Sequence, residues 1–379
     1  MTSNPNSSTQ TQISPGGTIG ILGGGQLGRM IALAAARLGI RSHIFCPDPQ
    51  SPAFDVTPNK TVAAYDDFEA LAQFSQTVDA VTFEFENVPA ETAEFLAEKT
   101  VLRPNAMALS VSQDRLTEKT FFKERSIKTA PFHAVDTEDD LAAAIREIGT
   151  PSILKTRRLG YDGKGQRKIA APQDAAAAWQ DLGAAPCILE GLVPFSKEVS
   201  LVLARAPNGE TASYDLAENR HENHILRTST IPADVPSICE ARAREIGEVL
   251  LADLDYVGVL AIEFFVVENA SGSDQPDLLV NEIAPRVHNS GHWTEAACPT
   301  SQFEQHVRAV CGWPLGSCER YYDAEMTNLL GAEADNWQAF AGQSDCVPHL
   351  YGKSENRVGR KMGHITRILR NRLDTGTRN

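Results

Sequence analysis

Residues 18–39 read TIGILGGGQLGRMIALAAARLG. A short apolar run gives way to a glycine turn, and the Ala/Leu-rich stretch from Met30 to Leu38 stops at Gly39. That order predicts a strand, a tight turn and a helix with glycine just past its end. Working outward, RSHIFC at 41–46 predicts a second strand closed by Pro47, DAVTFEFENV at 79–88 another, and VLRP at 101–104 a further one. Strands alternating with helices build a parallel, doubly wound sheet, expected over residues 17–110 within an N-terminal α/β domain at 17–115. The Ser/Thr/Asn/Gln/Pro-rich residues 1–16 read as a disordered tail with neither the basic start nor the apolar core of a secretory signal.

Downstream the pattern changes. From Asp114 to about Ile148 it is helical, with a break around TAPF at 129–132. SILKT (152–156), GYDGKGQ (160–166), RKIA (167–170), an Ala-rich helix near 173–182, CILEGLV (187–193) and KEVSLVLAR (197–205) follow. Strand, loop, strand, helix, strand predicts an α+β domain over 116–314, not a second doubly wound sheet. VGVLAIEFFVV (257–267) and DLLVNEIA (277–284) flank a polar loop and predict a hairpin. After Pro314 a small C-terminal domain, 315–379, carries the basic stretch PHLYGKSENRVGRKMGHI.

The chain of 379 residues is 42% hydrophobic and 22% charged, with a formal net charge of −14. This balance fits a soluble protein and argues against nucleic acid or anionic membrane as a partner, while leaving room for a local basic cluster that takes an anionic substrate. Seven dispersed cysteines without a CxxC pair suggest reduced thiols and a cytoplasmic location. Cys311 and Cys318 are too far apart in sequence for a usual zinc pair and read as plain thiols.

Three constellations carry chemistry. Gly23, Gly25 and Gly28 satisfy G-x-G-x-x-G, and Asp48 lies where a dinucleotide fold places its ribose carboxylate. A nicotinamide site and a bare structural turn both remain open from this motif. The P-loop pattern is absent, because Val347 stands where Gly352-Lys353-Ser354 would need its upstream glycine. GYDGKGQ supplies a glycine loop whose amides can close over phosphates, with Lys164 in the loop and Lys155 on the strand before it; for the heptapeptide taken alone an ordinary hairpin turn is the preferred reading. If the later hairpin is symmetric about residues 272 and 273, Glu263 and Glu282 face each other. Like charges directly opposite destabilise a sheet, and a bridging Mg²⁺ would reverse that, with Asn281 adding an oxygen if a bulge turns it inward. Two solvent-facing carboxylates are the alternative.

The ordered series GGGQLGR, FEFENV, QDRLTEK, LKTRRLGYDGKGQ, LEGLVPFSKEVS, AIEFFV, NEIAPRVHNSGHWT and GRKMGH spans residues 18 to about 366. It resembles the 5-(carboxyamino)imidazole ribonucleotide synthases, a family of ATP-grasp ligases. The resemblance implies a central ATP-grasp domain and a homodimer. Its implied nucleotide contacts are Arg115, Lys155, the loop Gly160, Tyr161, Asp162, Gly163, Lys164, Gly165 and Gln166, the adenine strand Glu190, Gly191, Leu192 and Val193, Glu198 on the ribose, and His221. Asn281 and Glu282, with Glu263, would hold Mg²⁺ against the ATP phosphates.

The family's acceptor is 5-aminoimidazole ribonucleotide, and bicarbonate is the carboxyl source. Gln26, Leu27, Glu84, Arg286 and Asn289 would line the acceptor site, and Lys353, Arg360 and Lys361 would take its phosphate. That clamp would explain a basic stretch in an acidic chain, which otherwise reads as a solvated surface. Tyr161 and Asp162 are candidates to orient bicarbonate or the amine, with Arg286 and Lys361 the further catalytic candidates. Another ATP-grasp ligase, such as a formate-dependent glycinamide ribonucleotide transformylase or a biotin carboxylase, is the nearest rival reading. A nicotinamide oxidoreductase and a non-catalytic nucleotide-binding regulator are more distant ones.

Overall fold

The computed structural model describes residues 12–160, 163–268 and 275–371. Its first sheet is formed by β1 (Thr18–Leu22), β2 (Arg41–Phe45), β3 (Asn59–Thr61), β4 (Ala80–Phe83) and β5 (Val101–Leu102). The strands are parallel in the order β3-β2-β1-β4-β5. With Ile19, Ile21, Val81 and Phe83 fully buried, the central strands are covered on both faces, as a parallel sheet requires. The FEFENV segment is strand only as far as Phe83; Glu84 and its successors leave the sheet at its carboxyl edge, where α/β folds place ligands.

A small antiparallel sheet follows, made of β6 (Phe132–Val135), β7 (Ser152–Thr156), β8 (Gln166–Ile169) and β9 (Cys187–Gly191), in the order β6-β9-β7-β8. The predicted helical stretch after Asp114 is two helices, Arg115–Glu124 and Glu138–Ile148, and the break between them holds β6. Asp114 and Thr137 cap the two helices through their side chains, which stops either from extending backwards.

The third sheet has nine strands: β10 (Lys197–Arg205), β11 (Thr211–Ser213), β12 (Ala217–Glu222), β13 (Ile225–Ile231), β14 (Gly258–Val267), β15 (Asp277–Ala284), β16 (Tyr322–Leu330), β17 (Cys346–Leu350) and β18 (Lys361–Asn371). Its order is β15-β14-β10-β12-β13-β16-β18-β17, with β11 on β10. The strands after Pro314 form no sheet of their own: β16 pairs with β13, so the tail continues the sheet that carries the metal-hairpin carboxylates. One face of this sheet packs Leu201, Leu203, Leu260 and Ile262 against Leu250 and Leu251 of the helix Ser237–Asp253.

The helix Gln302–Val310 lies between the first and third sheets, buried at every position except Arg308. Its His306 joins them. The Val259 N–H donates to Nδ1, so a neutral ring keeps its proton on Nε2 and donates to Thr82 Oγ1 at 2.7 Å. Burial pushes this imidazole down to about 4, which keeps it neutral. Residues 12–16, expected in the tail, are docked: Ile13 is buried, its N–H donates to Cys311 O, and its carbonyl accepts from Trp313 Nε1 at 2.6 Å. An apolar side chain inside a polar segment outweighs the composition of its neighbours. Residues 1–11 lie outside the described residues.

Candidate active site

The glycine turn does not present empty amides. The Glu84 carboxylate accepts from the Gly25 N–H and, at 2.6 Å, from the Gly28 N–H, at the start of the helix Gln26–Arg37. A protein carboxylate thus occupies the place where this motif otherwise takes a phosphate. Gly23 has φ +107, and a Cβ there would stand 2.3 Å from Glu84 Cγ. The turn's glycines therefore make room for a glutamate. Burial raises the Glu84 carboxyl against the two amides, Arg286 and Lys353, which all favour its charged form. Beside it opens a cleft of ≈ 360 Å³ lined by Gly25, Gln26, Asp48, Glu84, Lys353 and Arg360.

This cleft joins residues from the two ends of the chain. Gln26 and Glu84 come from the first sheet's edge, and Lys353 and Arg360 from the segment between β17 and β18. Lys353 Nζ donates to Lys361 O at 2.7 Å and stands over the Tyr351 ring, which ties the basic residues together. The side chain of Leu27, a candidate for the acceptor site, is buried in the core, because the second helical position faces inward. Asn289 is engaged elsewhere, exchanging two amide hydrogen bonds with Asn328 at 3.0 and 2.7 Å.

The second cleft is lined by Glu86, Gln113, Arg115, Glu118, Gly160 and Glu282. Glu263 pairs with Glu282 across β14 and β15, but the pairs nearer the turn, Phe264–Val280 to Val267–Asp277, are centred on residue 272, so a register shift, not a symmetric loop, brings the two carboxylates opposite each other. The next pair is Phe264 with Val280, which leaves Asn281 as the extra residue of a bulge. Arg115 Nη1 holds Glu282 Oε2 at 2.8 Å and reaches the Gly160 carbonyl at 3.3 Å with its other nitrogen. Burial would raise Glu282, but Arg115 outweighs it and keeps the carboxyl below its usual value. For Glu263, burial and then Glu282 prevail over the charges of His221 and Lys361 and lift it to about 7. His288 Nδ1 accepts the Ser290 N–H, so the neutral ring points its Nε2–H toward Glu263 Oε1, 3.4 Å away. Two facing, half-buried carboxylates are a donor set that fits Mg²⁺.

Lys155 Nζ and Glu190 Oε2 form a buried pair at 2.8 Å, between β7 and β9. Glu190 Oε1 is buried without a hydrogen-bond partner among the described residues. Burial acts to raise Glu190, but Lys119 and Lys155 prevail and bring it down to about 2. His221 Nδ1 lies 3.0 Å from Glu198 Oε2, and this carboxylate outweighs burial to raise the imidazole. Gly163 packs under His224 with φ +76, and Thr156 accepts the close approach of Gly165, so the loop base rests on two side chains. Gln166 Nε2 is 3.4 Å from His224 Nδ1. Leu192 and Val193 run on past the end of β9 at Gly191, and Leu192 is exposed. Tyr161 and Asp162 lie outside the described residues.

Three groups escaped the sequence reading. Lys119, almost wholly buried, donates to the Asn281 carbonyl at 2.7 Å and to the Val280 carbonyl at 3.3 Å, and thereby clamps the bulge. Glu118, beside it, accepts the Ile283 N–H at 2.8 Å, and burial with the charge of Glu282 raises it to about 8. Glu86 holds Arg286 Nε at 2.5 Å. Burial works against the charge of Glu86, yet Arg286 leaves it below its ordinary value. Arg286 also feels Glu84 and Glu282, so it stands electrostatically between the two clefts. The QDRLTEK and FEFENV motifs contain these residues, but a surface ion pair is the default reading of any charged pair on a helix.

Comparison with known proteins agrees with this arrangement. Residues 17–113 match the ribonucleotide synthetase preATP-grasp domain and residues 120–303 the ATP-grasp domain, so fold and site define an ATP-grasp ligase. Residues 324–377 match the phosphoribosylaminoimidazole carboxylase C-terminal domain. The chain is 51% identical over 361 residues to N5-carboxyaminoimidazole ribonucleotide synthase of Brucella melitensis, covering 95% of this chain and 98% of that one. It is 48% identical over 348 residues to the Pseudomonas aeruginosa enzyme, covering 92% and 93%. The crystal structure of an ADP complex of N5-carboxyaminoimidazole ribonucleotide synthetase superposes with a TM-score of 0.90 at 40% identity, covering 96% of this chain and 95% of that one. The Aspergillus clavatus enzyme in complex with ADP and 5-aminoimidazole ribonucleotide gives a TM-score of 0.86 at 28% identity, covering 94% and 95%. The chain belongs to the N5-carboxyaminoimidazole ribonucleotide synthase family, and it is an ATP-dependent ligase that forms a C–N bond.

Two outcomes follow from the geometry. Titration with NAD or NADP shows no saturable binding, because Glu84 already fills the anion position of the turn; micromolar affinity for either would contradict that reading. The second concerns acid stability. Glu190 is held at about 2 against an ordinary 4.5, so its contribution is whole above the unfolded value and is lost as pH falls toward the folded one. Urea unfolding between pH about 5 and 3 is therefore less pH-dependent in Glu190→Gln than in the unaltered chain, and equal slopes would rule the effect out.

Proposed function

We propose that this chain carboxylates the exocyclic amine of 5-aminoimidazole ribonucleotide with ATP and bicarbonate, giving the 5-carboxyamino product of purine biosynthesis. The observation that carries the reading is the pair of clefts whose glutamates, Glu84 in one and Glu86 and Glu282 in the other, all act on Arg286. One carries basic groups and a seated glutamate, and the other carries paired carboxylates beside a glycine loop.

In this reading ATP enters the second cleft. The loop from Gly160 to Gln166 covers the phosphates, with Lys164 in it. Arg115 and Lys155 exchange part of their contact with Glu282 and Glu190 for phosphate oxygens. Gly191, Leu192 and Val193 offer backbone groups to the base edge, and the unpartnered Glu190 Oε1 is a spare acceptor in the same region. Glu198, held by His221, takes the ribose hydroxyls. Glu263, Glu282 and the Asn281 bulge would hold Mg²⁺, which neutralises phosphate charge when bound.

A bicarbonate oxygen attacks the γ-phosphorus, the bond to the ADP oxygen breaks, and carboxyphosphate forms. The substrate amine then bonds to the carboxyl carbon as phosphate leaves, and the amine proton passes to a base for which the released phosphate is one candidate. The chain's contribution is positioning and charge: Arg286 spans the two clefts, held in orientation by Glu86. Closure excludes water from a reactive acyl phosphate. Tyr161 and Asp162 are the candidates to orient bicarbonate or the amine. Lys353, Arg360 and Lys361 take the ribonucleotide phosphate, with Gln26 and Glu84 beside the imidazole. The same reading includes a homodimer working in the cytoplasm, in keeping with seven free cysteines.

The test is ADP release in bicarbonate buffer. Release depends strongly on 5-aminoimidazole ribonucleotide and not on glycinamide ribonucleotide or biotin; dependence on either of the latter would assign a different ligase. In the same assay Glu282→Gln abolishes turnover while circular dichroism stays unchanged, and full activity at millimolar Mg²⁺ would remove Glu282 from the metal site. Lys353→Ala raises the KM for the ribonucleotide roughly ten- to hundredfold, the scale of one charge-assisted hydrogen bond, with little change for ATP. An equal change for both substrates would make the basic cluster structural.

A further inference from the structure

Behind the basic segment lies a cluster that the reaction does not use. His349 on β17 and His364 on β18 are register partners, and their rings stack with centroids 5.2 Å apart. Glu295, from the short helix Thr294–Ala297, reaches between them: its Oε2 lies 3.0 Å from His349 Nδ1 and 4.0 Å from His364 Nε2. Among the described residues this is the group of three His, Cys, Asp or Glu side chains whose ligand atoms converge within 4.8 Å.

We propose that Glu295, His349 and His364 form a binding site for a divalent transition metal of the Zn²⁺ class, separate from the Mg²⁺ of the nucleotide cleft. Metal–ligand bonds of about 2.0–2.2 Å at tetrahedral angles put neighbouring ligand atoms roughly 3.4 Å apart. The two separations from Glu295 bracket that value, and the two histidine nitrogens, which lie within 4.8 Å of each other, must draw together by side-chain rotation to close the site. Two imidazoles and one carboxylate are a zinc donor set that leaves a fourth position for water. Imidazole is also a poor ligand for Mg²⁺, which selects between the two sites.

The surroundings support the same assignment. His364 is 2% exposed, and its Nδ1 is 2.9 Å from the Tyr351 hydroxyl, which leaves Nε2 directed toward Glu295. A metal-ligating histidine characteristically has its other nitrogen fixed in this way. Burial and the neighbouring His349 hold His364 well below its usual value, so its lone pair is available at neutral pH. His292 packs its ring on His364 at 4.8 Å, and its own Nδ1 is engaged by Gln302 at 3.0 Å, so it is a wall of the site and not a ligand. Binding pins the edge strand β17 to the helix carrying Glu295. Tyr351 lies under Lys353, so the site backs onto the basic cleft.

The experiment uses the full chain stripped with EDTA and held in excess Mg²⁺. Zn²⁺ is titrated calorimetrically, and Co²⁺ is followed by its visible absorption. One equivalent binds, the Co²⁺ spectrum is tetrahedral without a thiolate charge-transfer band, and Zn²⁺ raises the Tm. His349→Gln and Glu295→Gln, both at partly exposed positions, each weaken binding about tenfold or more and remove the Tm shift, with metal-free circular dichroism unchanged. The proposal is overturned by any of three results: no saturable binding, affinity undiminished in both variants, or a thiolate band that places the metal on cysteine.

Discussion

Glu263 and Glu282 are fixed opposite each other by the pairing of β14 with β15, half-buried beside the second cleft. Two carboxylates at that spacing repel, and burial makes each charge more costly. The surrounding residues are arranged around this constraint. Arg115 neutralises Glu282, Lys119 grips the carbonyls of the bulge, His288 turns a neutral N–H toward Glu263, and Lys155 is occupied by Glu190. Without a ligand the region is a network of internal pairs.

The glycine turn shows how a local motif can keep its geometry and change its use. In a dinucleotide fold the helix N-terminus faces a pyrophosphate. Here Glu84 has taken the amides, and the glycines are small because a carboxylate must fit against them. A glutamate placed there by the strand that precedes it turns an anion site into a polar wall. The adjoining cleft then takes its positive charge from the other end of the chain, through Lys353 and Arg360.

That long-range closure depends on the tail joining the central sheet. β16 extends the sheet from β13, β18 pairs with β16, and the loop before β18 comes back over the first sheet's edge. His306 adds a second connection, donating to Thr82 on β4 while accepting from Val259 on β14. A cleft built from residues 26, 84, 353 and 360 needs both connections, since neither part of the chain carries the site by itself.

The sequence by itself determined the local elements and one decisive hairpin. Hydrophobic runs ending at glycine and proline marked the first sheet, and the count from Glu263 to Glu282 brought the two carboxylates to neighbouring positions of one hairpin, though it is the bulge that sets them directly opposite. It also placed Asn281 next to the bulge that only the structure displays. Tertiary structure decided the rest. Leu27 turned into the core and Asn289 toward Asn328; Lys119 and Glu118 lie in the interior; Ile13 docked out of a polar tail. Each of these depends on which distant segment covers a side chain, and the contacts involved span up to three hundred residues, as between Ile13 and Trp313. Burial and the partner it brings set the charge state and orientation of a group, and neither is written in its neighbours along the chain.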